Sequence, residues 1–274
     1  MQEKFWKMNW KDKFPKENRY FETNNGILYC ADCLKILPLI PNKSIDLILT
    51  DPPFMISQEI KIARSQNYKY KGKDINLDFG PWDSQWQSKE EYINWCKIWW
   101  KEGIRILKDY HHFLFFFDKA KISYAWDYME ENGMKGRSPV FWIKLNLVPR
   151  ARKVDFMKAI EMCLWFTKKE VKVGYFNYQL GQHPDYFMYS IPQDNSKEGE
   201  RTHPTQKPVA FCKWLISYLS NENEIVLDLF LGSGTTAIAC EKLGRKWIGI
   251  EIDKTFCEVA KQRILKESKQ LKLF

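Results

Sequence analysis

The chain has 274 residues, 45% of them hydrophobic and 28% charged, and lacks any apolar run near the ~18 residues of a membrane span, so it reads as one large globular domain over residues 1–274. Lys and Arg outnumber Asp and Glu by 43 to 34, a formal charge of +9 that would concentrate a polyanion such as nucleic acid nearby, or serve only to keep the surface soluble. Seven scattered cysteines exclude a disulfide framework, and the start at Met1 carries no secretory signal, so an intracellular, cytoplasmic protein is expected, with no membrane partner.

Short apolar runs alternate with helical periods along the chain, the pattern of a mostly parallel sheet covered on both faces. Residues 1–25 form an aromatic and basic N-terminal arm. The first strand is predicted at 27–31. Cys30 and Cys33 follow as a Cys-x-x-Cys, but no second pair or histidine cluster completes a zinc site, so they read as buried thiols and no metal is expected.

The second strand, 45–50, runs straight into Asp51-Pro-Pro-Phe54. Neither Pro52 nor Pro53 carries an N–H and each fixes its own φ, so the Pro52 carbonyl is free to stand beside the Asp51 carboxylate with no competing donor in the turn. Two acceptors facing one point match the two hydrogens of a base's exocyclic amine. Accepting both draws the nitrogen lone pair out of conjugation and makes the amine a nucleophile. Phe54 offers a flat surface on which an extruded base stacks, worth about 1–3 kcal/mol. The same letters also fit an ordinary Pro-Pro turn with a buried ring.

Residues 55–87 form a long insertion in which Tyr68, Lys69 and Lys71 interleave aromatic and basic character. Helix 88–107, strand 112–117, helix 119–132 and strands 140–143 and 161–166 come next. Arg150, Arg152 and Lys153 lie in the loop 144–158 and, like the Tyr68 segment, are read as phosphate contacts, with a solvated turn as the alternative; Lys144, where the loop begins, is taken as a further DNA-binding residue. A loop at 169–206, with 169–200 a target-recognition candidate, precedes helix 207–220.

Strand 225–229 opens into Phe230-Leu-Gly-Ser-Gly-Thr-Thr236, a glycine turn that starts helix 235–243. Gly232 and Gly234 permit close backbone approach, and the N–H groups from Gly234 onward favour a ligand carboxylate. No Gly-Lys-Ser/Thr follows, which argues against a P-loop nucleotidase. Strand 247–250 ends in Glu251, about 20 residues past the glycines, where a carboxylate accepts from ribose hydroxyls. These features indicate an adenosine-containing cofactor, either a dinucleotide or S-adenosylmethionine. Helix 254–268 closes the pattern.

Asp51-Pro-Pro-Phe54, His203-Pro-Thr-Gln-Lys-Pro208 and Phe230-Leu-Gly-Ser-Gly-Thr-Thr236, in that order, resemble the amino-group DNA methyltransferases of the beta permutation group. The resemblance implies a Rossmann-like, seven-stranded, mostly parallel sheet with one antiparallel hairpin and helices on both faces. It implies S-adenosylmethionine as cofactor, with Asp228, Phe230, Gly232, Ser233, Gly234 and Thr235 around its methionine end, Glu251 on the ribose and Asp32 on the adenine amine. Thr205 and Lys207 match positions that close the methionine pocket, and Trp142-Ile-Lys-Leu-Asn146 matches a strand beside the flipped base.

The expected reaction is methylation of adenine N6 in double-stranded DNA, by direct transfer to a flipped base, with Asp51 as the principal residue. Cytosine N4 is the alternative, since Asp in first position is commoner with adenine and Ser with cytosine. RNA shares the same amine chemistry. A dinucleotide-dependent oxidoreductase shares the glycine loop but leaves Asp51-Pro-Pro-Phe54 without use, and a non-catalytic nucleic-acid-binding module explains the charge but neither motif. The short 169–200 segment implies a small recognition surface, supplemented by 55–87, by the N-terminal arm or by the second subunit of a homodimer. A cognate restriction endonuclease is a further expected partner.

Overall fold

A computed structural model describes residues 9–55, 61–62, 75–76, 85–147, 156–168, 176–192 and 205–271. In chain order the strands are β1 (Arg19–Glu22), β2 (Gly26–Cys30), β3 (Ile45–Thr50), β4 (Lys61–Ile62), β5 (Ile75–Asn76), β6 (Leu107–Phe116), β7 (Met134–Gly136), β8 (Val140–Lys144), β9 (Ile160–Lys168), β10 (Tyr186–Tyr189), β11 (Ile225–Asp228) and β12 (Lys246–Glu251). The helices are α1 (Cys33–Ile36), α2 (Lys89–Ile106), α3 (Ile122–Glu131), α4 (Val209–Leu219), α5 (Thr235–Leu243) and α6 (Lys254–Leu271).

The main sheet runs β1-β2-β12-β11-β3-β6-β9-β8-β10, with β7 also paired to β9. Strands β2, β12, β11, β3 and β6 are mutually parallel. Strand β9 runs against β6, β7 and β8, and β10 lies parallel to β8. All seven strands expected from the sequence are present, with three more. The additions β1, β7 and β10 are short, and β1 and β10 are half-exposed along the pattern of sheet edges, so none carries the continuous apolar run that marks a buried strand. Strand β10 lies inside the segment expected to be wholly loop. Strands β4 and β5 pair with each other apart from the main sheet.

Alternation along the central strands sends successive side chains to opposite faces. Ile27, Tyr29, Ile48, Phe113, Phe115 and Leu227 join Trp99 and Trp100 of α2 in one core. Leu28, Leu47, Leu49, Leu114, Phe116 and Val226 join the apolar faces of α4, α5 and α6 in the other. Helix α2 starts where the Ser88 hydroxyl accepts from the Glu91 N–H and where Glu90 and Glu91 complement the dipole. Its Gly103 costs about 1 kcal/mol in a helix interior but admits Phe113, whose ring lies 2.5 Å from where a Cβ would stand.

None of the seven cysteines is paired; Cys33 is buried and Cys30 half-buried. Among the described residues no helix is long and apolar enough to cross a membrane. At the amino edge of the parallel strands, buried Asp46 accepts from Lys108 Nζ at 2.6 Å and from the Ile225 N–H at 2.9 Å, and faces His111 Nε2 at 3.3 Å. His111 Nε2 also lies 3.7 Å from Glu224. Asp46, His111 and Glu224 are the one set of candidate metal ligands among the described residues, and Asp46 is already paired with Lys108.

Candidate active site at the carboxyl edge of the sheet

The carboxyl ends of β2, β12, β11 and β3 carry Asp32, Glu251, Asp228 and Asp51 along one edge, the place where open α/β sheets bind ligands. The order follows from register: Glu251 pairs with Cys30, and the Ala31 N–H donates to the Glu251 carbonyl at 2.9 Å, which sets Asp32 beside it. Asp32 caps α1, accepting from the Leu34 N–H at 2.9 Å.

The turn after β3 is held by its later carbonyls. Tyr92 of α2 donates its hydroxyl to the Pro53 carbonyl at 2.8 Å, and Lys121 donates to the Phe54 carbonyl at 2.8 Å while paired with Asp118. The chain then leaves through Met55 at φ 53°, a left-handed conformation that costs a residue with a side chain about 1–2 kcal/mol. Among the described residues, the Pro52 carbonyl accepts from no donor. Only one Asp51 oxygen, Oδ2, is taken there, by Lys207 Nζ.

The glycine turn has the shape the sequence suggests. Gly232 and Gly234 stand at φ 53° and 86°, and a Cβ on Gly234 would come within 3.1 Å of the Ala260 Cβ. Gly234 caps α5 with no side-chain acceptor, leaving the first-turn N–H groups for a ligand anion. Glu251 fixes the turn, accepting from the N–H groups of Gly232 and Asp253, each at 2.8 Å. Burial raises its carboxyl above the usual range, against those donors. Arg263 of α6 donates to the Ser233 hydroxyl at 2.7 Å, and Gln206 lies 3.5 Å from the same oxygen, so Ser233 ties three segments together. Thr235 is buried at the start of α5. The Phe230 ring packs 5.6 Å from both Trp95 and Trp99. A strongly turned glycine loop, an uncapped helix start and an acid on the neighbouring strand fit an adenosine cofactor with a free carboxylate, as S-adenosylmethionine has.

The two motif strands are locked by Thr50, the last residue of β3. Its buried hydroxyl donates to Asp228 Oδ1 at 2.7 Å and accepts from the Leu229 N–H at 3.1 Å. Asp228 also receives the Phe230 N–H at 3.1 Å, and burial raises its carboxyl despite these donors.

Lys207 is set over Asp51 by the segment ahead of α4, with Thr205 beside it, its carbonyl 3.5 Å from Lys207 Nζ. The ammonium also lies 3.2 Å from Glu161 and 4.5 Å over the Phe116 ring. Burial pushes the Asp51 carboxyl up to about 6, against the pull of Lys207. Burial would likewise depress the Lys207 ammonium, but Asp51 and Glu161 overcome it and raise it. Lys144, expected among the DNA-binding residues, lies 2.6 Å from Glu161, and its side chain is 14% exposed. Tyr68, Lys69, Lys71, Arg150, Arg152 and Lys153 lie outside the described residues, as do His203 and Pro204. Glu161, Arg263, Tyr92 and Lys121, which belong to none of the three sequence motifs, also contact them, as does Gln206 from within the His203–Pro208 block.

Residues 45–262 match the family described as DNA methylase, of the N6/N4 methyltransferase type. The chain is 33% identical to type II methyltransferase M.HinfI of Haemophilus influenzae over 246 residues, 85% of this chain and 67% of that protein. It is 31% identical to M2.LlaDCHI of Lactococcus lactis subsp. cremoris over 90% of this chain and 92% of that one. Among solved structures, the M1.HpyAVI complex with SAM superposes with a TM-score of 0.64 at 27% identity, covering 86% of this chain and 98% of that one. The cytosine-N4-specific PvuII DNA methyltransferase, at 20% identity and a TM-score of 0.68 over 93% and 94%, shares the fold.

Proposed function

We propose a base for the reaction from one premise: the chain belongs to the DNA methylase family, the S-adenosylmethionine-dependent DNA amino-methyltransferases of the beta group, whose members act on N6 of adenine or N4 of cytosine. The base is adenine, in double-stranded DNA. The observation that carries this reading is the acid that opens the tetrapeptide: Asp51, an acceptor held at the sheet edge, stands where the cytosine enzymes resembled by the sequence more often place serine.

S-adenosylmethionine, when bound, supplies a methyl group on a positively charged sulfur. Asp51 Oδ1 and the Pro52 carbonyl accept the two amine hydrogens and release the nitrogen lone pair for attack. With the cofactor bound, that lone pair would take the methyl group while sulfur kept the C–S electron pair, and the proton shed by the methylated amine would pass to Asp51 Oδ1 and from there to water. The carboxylate stabilises the positive charge that develops on nitrogen, so its value lies in placement more than in basicity. Phe54, half-buried beside Lys207, provides the stacking face. Asp228, Phe230, the turn from Gly232 to Thr235, Thr205, Glu251 and Asp32 hold the cofactor. Tyr68, Lys69, Lys71, Arg150, Arg152 and Lys153 contact DNA phosphates, and 55–87 and 169–200 read the target within a single catalytic domain.

The test is sequencing, with base-modification detection, of DNA from a methylation-deficient host expressing the chain. N6-methyladenine at a fixed site is the expected result. N4-methylcytosine would overturn the base assignment, and would leave the family standing.

A further inference from the structure

Four charged side chains form a line of alternating sign that ends at the tetrapeptide. Lys144 closes β8, Glu161 is the second residue of β9, Lys207 precedes α4, and Asp51 follows β3. Lys144 Nζ lies 2.6 Å from Glu161 Oε1, and Lys207 Nζ lies 3.2 Å from Glu161 Oε2 while in contact with Asp51 Oδ2. Lys207 has a side chain only 7% exposed, so it is withdrawn from water and depends on both carboxylates.

Two cations and two anions sum to zero. That balance matters because positive charge develops on the amine beside Asp51, and a buried ammonium without its second counter-ion would oppose it. Glu161 supplies that counter-ion and draws Lys207 away from sole possession of Asp51. The other groups around Asp51 cannot do so. Asp228 on β11 acts on Lys207 only at longer range, its carboxylate being held by the Thr50 hydroxyl and the Phe230 N–H, and the Cys163 thiol of β9, with Cys212 of α4 beyond it, is kept neutral by burial.

We propose that Glu161 is a positioning residue for methyl transfer, which shares Lys207 with Asp51, confines the ammonium to Oδ2 so that Oδ1 remains for the amine, and keeps the charge beside the amine balanced. The inference rests on the reading of Asp51 as the amine's acceptor. Lys144 is the second support, since it neutralises the far oxygen of Glu161.

The experiment compares pH profiles of kcat/KM for DNA at saturating cofactor, whose acid limb reports the enzyme before the base enters. The parent limb lies near pH 6, where burial places Asp51. In Glu161→Gln, Lys207 serves Asp51 alone, so the limb moves to lower pH, and kcat at pH 8 falls by about tenfold to a hundredfold. In Lys144→Met, Glu161 is left under-neutralised and the limb moves to higher pH. A packing role would not produce shifts of opposite sign. Limbs that coincide with the parent in both variants, or a Glu161→Gln kcat within about twofold of the parent, overturn the inference. Calorimetric cofactor binding confirms that each variant is folded, and if Glu161→Gln does not fold the Lys144→Met limb decides alone. Asp51→Asn separates the two failures: parent-like activity there removes the acceptor reading itself, whereas an inactive Asp51→Asn with unmoved limbs removes only the role of Glu161.

Discussion

Replacing Thr50 with valine preserves the side chain's shape and deletes one hydroxyl, so its effect isolates the lock between β3 and β11. Asp228 loses the donor at 2.7 Å and retains the Phe230 N–H and the Thr236 hydroxyl, so its charge is weakened in support and not abandoned. The Leu229 N–H loses its acceptor at 3.1 Å in a place where Thr50 is 2% exposed and water has little access. A hydrogen bond to a charged group is worth about 1.5–3 kcal/mol and an orphaned buried N–H costs about 1–3 kcal/mol; since the two share one hydroxyl, the combined loss is roughly 2–4 kcal/mol. Thr50→Ser keeps the hydroxyl and removes one methyl, a loss of about 1 kcal/mol. Urea unfolding of parent and both variants measures the difference, with the slope expected to stay constant. A Thr50→Val protein within about 0.5 kcal/mol of the parent, or one no less stable than Thr50→Ser, would refute the lock.

Three further outcomes are expected. Asp51→Ala abolishes methyl transfer while cofactor affinity stays within a few fold, because Lys207 keeps Glu161 as a partner; calorimetric titration checks this, and lost cofactor binding in a folded variant would reverse the assigned roles. Glu251→Ala weakens cofactor binding by about 1.5–3 kcal/mol, with turnover largely recovered at saturation, and steady-state kinetics across cofactor concentrations tests it. Burial opposes protonation of His111, but Glu224, the Asp109 carbonyl and Asp46 overcome it and raise its pKa above the ordinary 6.5. The unfolded chain therefore loses this proton first as pH rises, so the stabilisation is complete below about 6.5 and disappears as pH passes the folded value. His111→Gln should flatten that decline in urea titrations run at a series of pH values.

The parallel strands were legible because each is a buried run with a turn signal at its end. Asp51, the glycine turn and Glu251 were legible because parallel strands deliver their last residues to the ligand edge. Glu161 was not, for the opposite reason. Strand β9 runs backward, so its first residues, and not its last, reach that edge. The available signal was the need of a buried Lys207 for counter-charges, but that need appears only when burial is known. Strand β10 escaped because Tyr186-Phe-Met-Tyr189 alternates half-buried and exposed positions at the sheet edge. The partner of Lys144 was not legible either, since a lysine after a strand looks the same in sequence whether it faces a phosphate or a carboxylate.

The strand order has a consequence for how the chain is made. Strands β11 and β12 are inserted between β2 and β3, and Thr50 waits for Leu229 across 179 positions. At a synthesis rate of roughly 5–20 residues per second, that interval lasts about 10–35 s. By its end, once β10 has been made, the β1-β2 pair and the β3-β6-β9-β8-β10 group are complete except for the two edges that face each other. Those edges are apolar and unpaired, which makes the nascent chain prone to wrong strand pairing. A chain cut before Ile225 is therefore not a smaller enzyme but two groups of strands with the middle of their sheet missing.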